Sequence, residues 1–183
     1  MGLMRGLLIL GLLISTACAA SVMQLATEMA PLTRYQPTVG DEMRPALEAL
    51  TKTLQKGEYT VRIVSPAEMI TIYGSSAYEI NDRRSKTIYL DATESINTQF
   101  ETLAHEAGHI FHAPMNERDV AEVFAELVGN QVQHFYGSQT ATQTSAAYLA
   151  QFKHAFPAVQ YLRRDMEIAV KVLTNQAAWP RWE

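Results

Sequence analysis

The segment His105-Glu106-Ala107-Gly108-His109 constrains the fold of this chain more than any other. It lies within residues 94–112, which are predicted to form one helix that ends before Pro114. Residues four apart lie on the same face of a helix, so His105 and His109 can reach a single ion. Imidazole nitrogens are good ligands for Zn²⁺. The segment therefore predicts a helix that binds one zinc ion per chain.

Glu106 follows the first of these histidines and is turned about 100° from it around the helix axis. Its carboxylate would therefore lie beside the ion rather than in line with it, where it can accept a proton from a water molecule. Zinc lowers the pKa of a bound water to about 7. These relations predict that Glu106 is the catalytic base of a metal-assisted hydrolysis.

A catalytic zinc site needs a third protein ligand, and Glu122 is the predicted one. A short turn after His112 is expected to reverse the chain into a second helix, which begins at the N-cap Asn116 and ends near Phe135. Glu122 would then lie level with the second histidine of the motif. Asp119, one turn earlier, is an alternative ligand, although a capping interaction with Asn116 also explains it.

Two further residues are predicted to support the ligands. Glu126 lies one turn beyond Glu122 on the same face and can orient a ligand histidine through the ring nitrogen that does not bind metal. His112 is too far along the first helix to share the ion and is expected to act in the same supporting way. The residues around the two glutamates, 121–128, are nearly all apolar. This favours a functional role for both carboxylates over a place on a solvated helix surface.

The sequence does not single out the group that would stabilise the oxyanion of a hydrolytic transition state. Each candidate is equally well explained by packing or by a place on the surface. The candidates are His134, Tyr136, Tyr148, His154 and Tyr161. Glu101, one turn before the motif, is interpreted as an exposed carboxylate that could support the site.

The order of the predicted elements indicates an α+β domain, with a small twisted sheet followed by a helical C-terminal half. Residues 77–81 and 86–91 are predicted to form a hairpin, and both are candidates for a sheet edge that pairs with an extended substrate. The other predicted strands are 59–64 and 69–73, and the other predicted helices are 41–55, 142–156 and 158–174.

The first residues read as an export signal. Arg5 precedes a short apolar stretch, Gly6–Ile14, which is too short for the roughly 20 residues that span a bilayer. The small residues Ala17 and Ala19 then fit a signal-peptidase site. We therefore expect residues 1–19 to be a signal peptide and the protein to be exported, periplasmic or secreted, with no transmembrane segment after signal removal.

The remaining chain is predicted to hold an N-terminal arm, residues 20–38, and one domain, residues 39–183. A content of 48% hydrophobic and 19% charged residues is typical of a globular chain. The net charge of −4 and the absence of a basic cluster argue against nucleic-acid binding. Lipid attachment at Cys18, the single cysteine, is an alternative to simple cleavage of the signal.

The pattern His105-Glu106-x-x-His109 followed by Glu122-Val-Phe-Ala-Glu126 resembles the gluzincin metallopeptidases, whose third zinc ligand is a glutamate. The second segment is most similar to the catalytic domains of lethal-factor-like peptidases and Pro-Pro endopeptidases. The first segment, with His112, also resembles small metallopeptidases that cleave phage-type repressors. The resemblance covers residues 77–135 and implies a zincin-like fold and hydrolysis of a peptide or protein substrate.

The chain departs from the lethal-factor-like pattern at one position, because Met115 stands where those enzymes carry a catalytic tyrosine. Its span from His109 to Glu122 is also shorter than theirs. Two alternatives to an enzyme stay open. The domain could be an exported binding or adaptor protein with a structural zinc site, which would need a fourth protein ligand. It could also pack a histidine-rich helix without any metal.

Overall fold

A computed structural model describes residues 43–73, 79–82, 85–112, 117–138 and 141–180. The predicted signal peptide and N-terminal arm lie outside these residues. The elements in chain order are α1 (Arg44–Lys56), β1 (Thr60–Val64), α2 (Pro66–Tyr73), β2 (Glu79–Asp82), β3 (Thr87–Asp91), α3 (Ile96–Gly108), α4 (Arg118–Phe135), α5 (Ala141–Leu149), a 3₁₀ segment (Ala150–Ala155), α6 (Phe156–Val159), a 3₁₀ turn (Gln160–Leu162) and α7 (Arg163–Leu173). This order confirms the predicted α+β arrangement of a small sheet followed by a helical half.

The sheet has three strands in the order β1-β3-β2. β2 and β3 are antiparallel, which confirms the predicted hairpin, while β1 runs parallel to β3. All five residues of β3 are buried, because this strand lies between its two neighbours and beneath α3. The prediction that residues 86–91 could offer a sheet edge is therefore wrong, whereas β2 does lie at an edge.

Residues 69–73 were predicted as a strand, but they belong to the helix α2, so this prediction is wrong. The helix is started by a capping box at Ser65 and Glu68. The backbone N–H of Ser65 donates to Glu68 Oε2 at 2.8 Å, and the N–H of Glu68 donates to Ser65 Oγ at 3.3 Å. Pro66 occupies the first helical position, where a missing N–H costs nothing. These local contacts outweigh the β-propensity of the isoleucines that follow.

Helix α3 is anchored to the sheet at its first turn. Ser95 caps the helix by accepting a hydrogen bond from the N–H of Thr98 at 3.1 Å. The buried side chain of Gln99 donates to the carbonyl oxygens of Asp91, at 2.9 Å, and of Glu94, at 3.1 Å. Because Asp91 is the last residue of β3, these bonds fix the start of the motif helix against the central strand.

The ends of the next helices differ from the predicted ones. α3 ends at Gly108 rather than His112, because the N–H groups of Ile110 and Phe111 bond three residues back and tighten the chain into a turn. α4 begins after an extended Glu117, so the prediction of Asn116 as N-cap is wrong.

The C-terminal half also differs from the two long helices that were expected on either side of Pro157. The chain there forms shorter helical pieces, and Pro157 lies in the first turn of α6 rather than in a break between helices. Its ring suits that position, where no backbone N–H is needed. None of the described helices combines the length and the apolar character that crossing a bilayer needs.

The main core lies between the sheet and the helices α1, α3, α4 and α7. Large side chains from each of these elements are fully buried. They include Leu50 and Leu54 of α1, Ile88 and Leu90 of β3, Phe100 and Leu103 of α3, Phe124 and Leu127 of α4, and Met166 and Leu173 of α7. This core holds α3, which carries the motif, against α4, which carries the predicted third ligand.

Two glycines allow α3 and α4 to pack at close range. A Cβ atom on Gly108 would lie 2.7 Å from the carbonyl oxygen and 2.8 Å from the Cα of Ala125. A Cβ atom on Gly129 would lie 3.0 Å from the Cα of His105. The pairs 108–125 and 105–129 run in opposite directions along the chain, so the two helices are antiparallel. The backbones of α3 and α4 therefore come close at the residues that flank the predicted ligands.

We expect the substitution Gly108→Ala to destabilise the protein, although alanine is the better helix former. The added methyl would meet backbone atoms of Ala125, which cannot rotate away, and overpacking of this kind costs about 1–3 kcal/mol. Urea denaturation measures the loss. The exposed Lys52→Ala in α1 is the control and should change stability by less than about 0.5 kcal/mol. A Gly108→Ala protein as stable as the wild type would contradict the close contact.

Candidate metal centre

His105, His109 and Glu122 form a compact cluster between α3 and α4. The Nε2 atoms of the two histidines are 3.2 Å apart, and Glu122 Oε2 lies 3.5 Å from Nε2 of His105 and 3.7 Å from Nε2 of His109. Zinc bonds of 2.0–2.1 Å in a tetrahedron place ligand atoms about 3.3 Å apart. The three separations fit that geometry, so the cluster could hold a metal ion.

The number and burial of these ligands match one kind of zinc site. The three side chains are only 13–17% exposed, so most of each is shielded from water. Among the described residues this is the only group of three histidine, cysteine or carboxylate side chains close enough to share an ion. Three protein ligands leave one tetrahedral position for water or substrate, which is the arrangement of catalytic rather than structural zinc sites.

Both histidines are oriented by a second residue at the ring nitrogen that faces away from the cluster. Nδ1 of His105 donates to Glu126 Oε2 at 2.9 Å. Nδ1 of His109 faces Nε2 of His112 at 3.1 Å. These contacts leave each Nε2 atom directed into the cluster, as metal binding requires. The structure thus places Glu126 beside His105 and His112 beside His109, and their supporting roles stay predictions.

Tyr148 of α5 forms a hydrogen bond with Glu122, the predicted third ligand. Its hydroxyl donates to Glu122 Oε2 at 2.8 Å, and its ring packs edge-on against the ring of His105 with centroids 5.7 Å apart. The sequence named Tyr148 only as one of five candidates, because nothing in its local pattern connects it with residues on α3 and α4. It reaches the cluster through the packing of α5 on α4.

Glu106 lies beside the cluster without joining it. The residue is 8% exposed, although it is a charged residue on a helix. Its negative charge is near enough to contribute to the raised pKa of His105. Glu106 is therefore a buried carboxylate that adjoins His105 in the sequence and is not one of the three residues of the cluster.

The remaining sequence candidates lie elsewhere. Asp119 is not brought to the cluster, because its Oδ2 accepts a hydrogen bond from Nε2 of the exposed His154 at 2.7 Å. Tyr136 is buried in the core, where its ring packs against Phe100. Tyr161 is 89% exposed. Of the five oxyanion candidates, Tyr148 contacts both Glu122 and His105.

The charges of the cluster are strongly coupled. Burial lowers the pKa of His105, but hydrogen bonds with Glu122 and Glu126 more than offset this and raise its pKa to about 10. Hydrogen bonds with His105 and His109 hold the pKa of Glu122 far below its usual range, against the opposing effect of burial. Without an ion, a proton on His105 therefore offsets part of the negative charge of the neighbouring carboxylates at neutral pH.

A cleft of about 230 Å³ lies between three helices, and His105 is one of its lining residues. Glu101 and His105 of α3, Glu126 and Gln133 of α4, and Ser145 and Tyr148 of α5 line it. Sequence reasoning did not find Gln133 or Ser145. Gln133 follows Glu126 by two helical turns on the same face of an otherwise buried helix, and this spacing is the signal that could have found it.

The chain matches no model of a protein family, no curated protein and no solved structure. The chemistry of the centre therefore has to follow from its own residues and distances. Those distances bring together three side chains that could hold a metal ion, a contact for each of them, and an adjoining cleft.

We expect the protein to bind about one zinc ion per chain, with the ion lost or bound more weakly in His109→Ala and in Glu122→Ala. Either change removes one of the three ligand atoms of the cluster. Elemental analysis of the mature protein measures the zinc content. Asp119→Ala is the control and should keep its zinc, because Asp119 pairs with His154. Zinc lost in the Asp119 variant but kept in the Glu122 variant would contradict this ligand set.

We also expect zinc binding at pH 7.5 to release about one proton from His105, because the ligand imidazole must be neutral and its pKa without metal is about 10. Titration calorimetry in buffers of different ionisation enthalpy counts the protons. In Glu126→Gln one of the carboxylates that raise this pKa is gone, so the release at pH 8.5 should be smaller. An unchanged release in that variant would show that the proton comes from another group.

Proposed function

We propose that this chain is a zinc-dependent metallopeptidase of the gluzincin type with a zincin-like fold. The observation that carries the proposal is the cluster of His105, His109 and Glu122 with Glu106 buried beside it. A motif that occurred by chance would not bring a glutamate 17 positions away to within 3.7 Å of both histidines. Three ligands with an adjoining cleft favour a catalytic site over a structural one.

In this proposal each residue has a distinct task. His105, His109 and Glu122 hold the ion, while Glu126 and His112 keep the imidazoles in the right orientation. When bound, zinc supplies a Lewis acid that polarises the scissile carbonyl and lowers the pKa of water. Glu106 accepts a proton from the attacking water and delivers it to the nitrogen of the leaving amine. The products are a carboxylate and an amine.

Tyr148 is the residue best suited to stabilising the oxyanion. Its hydroxyl donates to the ligand oxygen of Glu122 at 2.8 Å, and its one proton would turn from that carboxylate to an oxyanion held close to the same point. In lethal-factor-like enzymes the catalytic tyrosine precedes the ligand glutamate, where this chain has Met115. Tyr148 follows the ligand glutamate and would reach the site from α5 instead.

The substrate of the proposed enzyme is a peptide or protein bound in an extended conformation. β2 lies at the edge of the sheet and packs against α3, the helix that carries the motif. The side of β2 that faces away from β3 would pair with the substrate backbone, as edge strands do in other peptide-binding proteins. The expected export signal would place this activity in the periplasm or outside the cell.

A non-catalytic protein with a structural zinc site is the other candidate, and the contacts of the described residues disfavour it. Such a site needs a fourth protein ligand. Nε2 of His112 faces His109 Nδ1, so His112 orients a ligand instead of adding one. Asp119 is paired with His154. A structural site also gives no reason to bury Glu106 beside the ligands.

Glu106→Gln should reduce kcat on a fluorogenic peptide library by about 10²–10⁴-fold, because the amide cannot accept the proton from water. Zinc content and thermal stability should stay unchanged, since Glu106 is not a ligand. Glu117→Gln is the control for the same change of charge, because Glu117 is exposed at the start of α4. Retained activity in a Glu106→Gln preparation free of other peptidases would exclude this role.

A further inference from the structure

The outer side of the C-terminal helical segment carries a row of exposed side chains, which we call the α7 stripe. It runs from the 3₁₀ turn along α7 and consists of Tyr161, Arg164, Ile168 and Lys171. Intervals of three and four residues place these side chains on one face of a helical segment. The residues of the opposite face are buried in the core, and they are Met166, Ala169, Val170, Val172 and Leu173. The α7 stripe therefore faces away from the rest of the protein.

Tyr161 and Ile168 give the α7 stripe an apolar part. Tyr161 is 89% exposed, more than any other large hydrophobic side chain of the described residues, and Ile168 is 40% exposed. Contact of this apolar surface with water is unfavourable, so removing it from water on binding is favourable. A tyrosine ring with its polar hydroxyl suits an interface that is apolar on one side and wet on the other.

Arg164 and Lys171 give the same stripe two positive charges. The neighbouring Arg163 is paired with Glu167, from Nε to Oε1 at 3.0 Å. Neither Arg164 nor Lys171 forms a side-chain ion pair with a described residue, and both are exposed. Both side chains are charged at neutral pH. The two charges of the α7 stripe are therefore available to an anionic partner.

The charges of the chain are distributed unevenly, and this supports an anionic partner for its C-terminal part. Residues 1–126 contain 10 basic and 16 acidic residues, whereas residues 127–183 contain five basic and three acidic ones. The C-terminal part is therefore net positive in a chain whose net charge is −4. An anionic surface would attract this part and repel the remainder, which would orient the protein with the α7 stripe towards it.

We propose that the α7 stripe binds the surface of a membrane that contains anionic phospholipids. Arginine and lysine are attracted by the negative potential of such a surface, and a tyrosine ring is favoured at the level of the headgroups. A soluble polyanion would use the two cations but not the apolar side chains between and beside them. The protein lies on the membrane rather than in it, because the other face of α7 belongs to the core. This binding does not depend on whether the metal centre is catalytic.

Sedimentation with lipid vesicles measures the binding. The mature protein without residues 1–19 is used, because it lacks Cys18 and so carries no attached lipid. It should bind vesicles of phosphatidylcholine and phosphatidylglycerol at least about tenfold more tightly than vesicles of phosphatidylcholine alone. The difference should shrink as salt is added, since salt screens exposed charges. A protein that does not bind the anionic vesicles would overturn the inference.

Two pairs of substitutions separate the α7 stripe from the charge of the whole protein. Arg164→Gln with Lys171→Gln should weaken binding to the anionic vesicles by at least about tenfold, because each cation near such a surface contributes about fivefold. Arg44→Gln with Lys52→Gln removes two exposed charges of α1 and should leave the binding within about twofold of the wild type. An equal loss in both pairs would show that only the net charge matters and would contradict the assignment to the α7 stripe.

Tyr161→Ser distinguishes a lipid surface from other partners. Loss of the ring should weaken binding to the anionic vesicles by about threefold or more, since binding at a membrane surface scales with the buried apolar area. Retention on immobilised heparin, a soluble polyanion, should stay unchanged. Vesicle binding that does not respond to Tyr161→Ser would refute a lipid site in favour of a general polyanion site. A wild-type dimer that Tyr161→Ser dissociates, as measured by light scattering, would show that a second copy covers the stripe and would also refute the lipid site.

Discussion

The structure depends on the close antiparallel contact between α3 and α4. Gly108 and Gly129 carry no side chain, so the backbone of α3 at Gly108 can lie close to Ala125. In the same way the backbone of α4 at Gly129 can lie close to His105. A wider spacing would move Glu122 away from the histidines and open the 3.2–3.7 Å distances between ligand atoms. The contact between α3 and α4 therefore includes both the apolar core and the polar cluster. Burial of the core stabilises the contact, and the two glycines determine the distance between the helices.

Around this contact, the polar groups form a connected set in which each ligand has its own partner. Glu126 holds His105, His112 faces His109, and Tyr148 holds Glu122. Such a set is costly to bury when it is incomplete, because an unpaired charge in a low-dielectric site is strongly disfavoured. A proton on His105 offsets part of the charge of the two carboxylates, and the same residues could hold a metal ion instead. This explains how the cluster can stay folded before it receives an ion.

The sequence predicted those parts of the site that local geometry determines. The spacing of His105 and His109, and the short reversal that brings Glu122 level with them, follow from helix periodicity and a brief turn. Glu126 and His112 follow from the same reasoning. Tyr148 and Ser145 could not be predicted in this way, because their place near the cluster depends on how α5 packs on α4. The central position of β3 in the sheet could not be predicted either, because it depends on the order of the strands. The helix α2 could have been predicted, because Ser65 and Glu68 form a recognisable capping box.

The hydrogen-bonded residues of the molecule lie at very different separations along the sequence, and this difference bears on folding. His105 and Glu126 are 21 positions apart, and Glu122 and Tyr148 are 26 apart. By contrast, the indole N–H of Trp179 bonds the carbonyl of Thr53 across 126 positions, and Lys56 bonds Asn175 across 119. Closing a short loop costs less entropy than closing a long one. α3, α4 and α5 thus belong to the low-contact-order part of the chain, whereas the contacts of the C-terminal segment with α1 require the closure of a long loop.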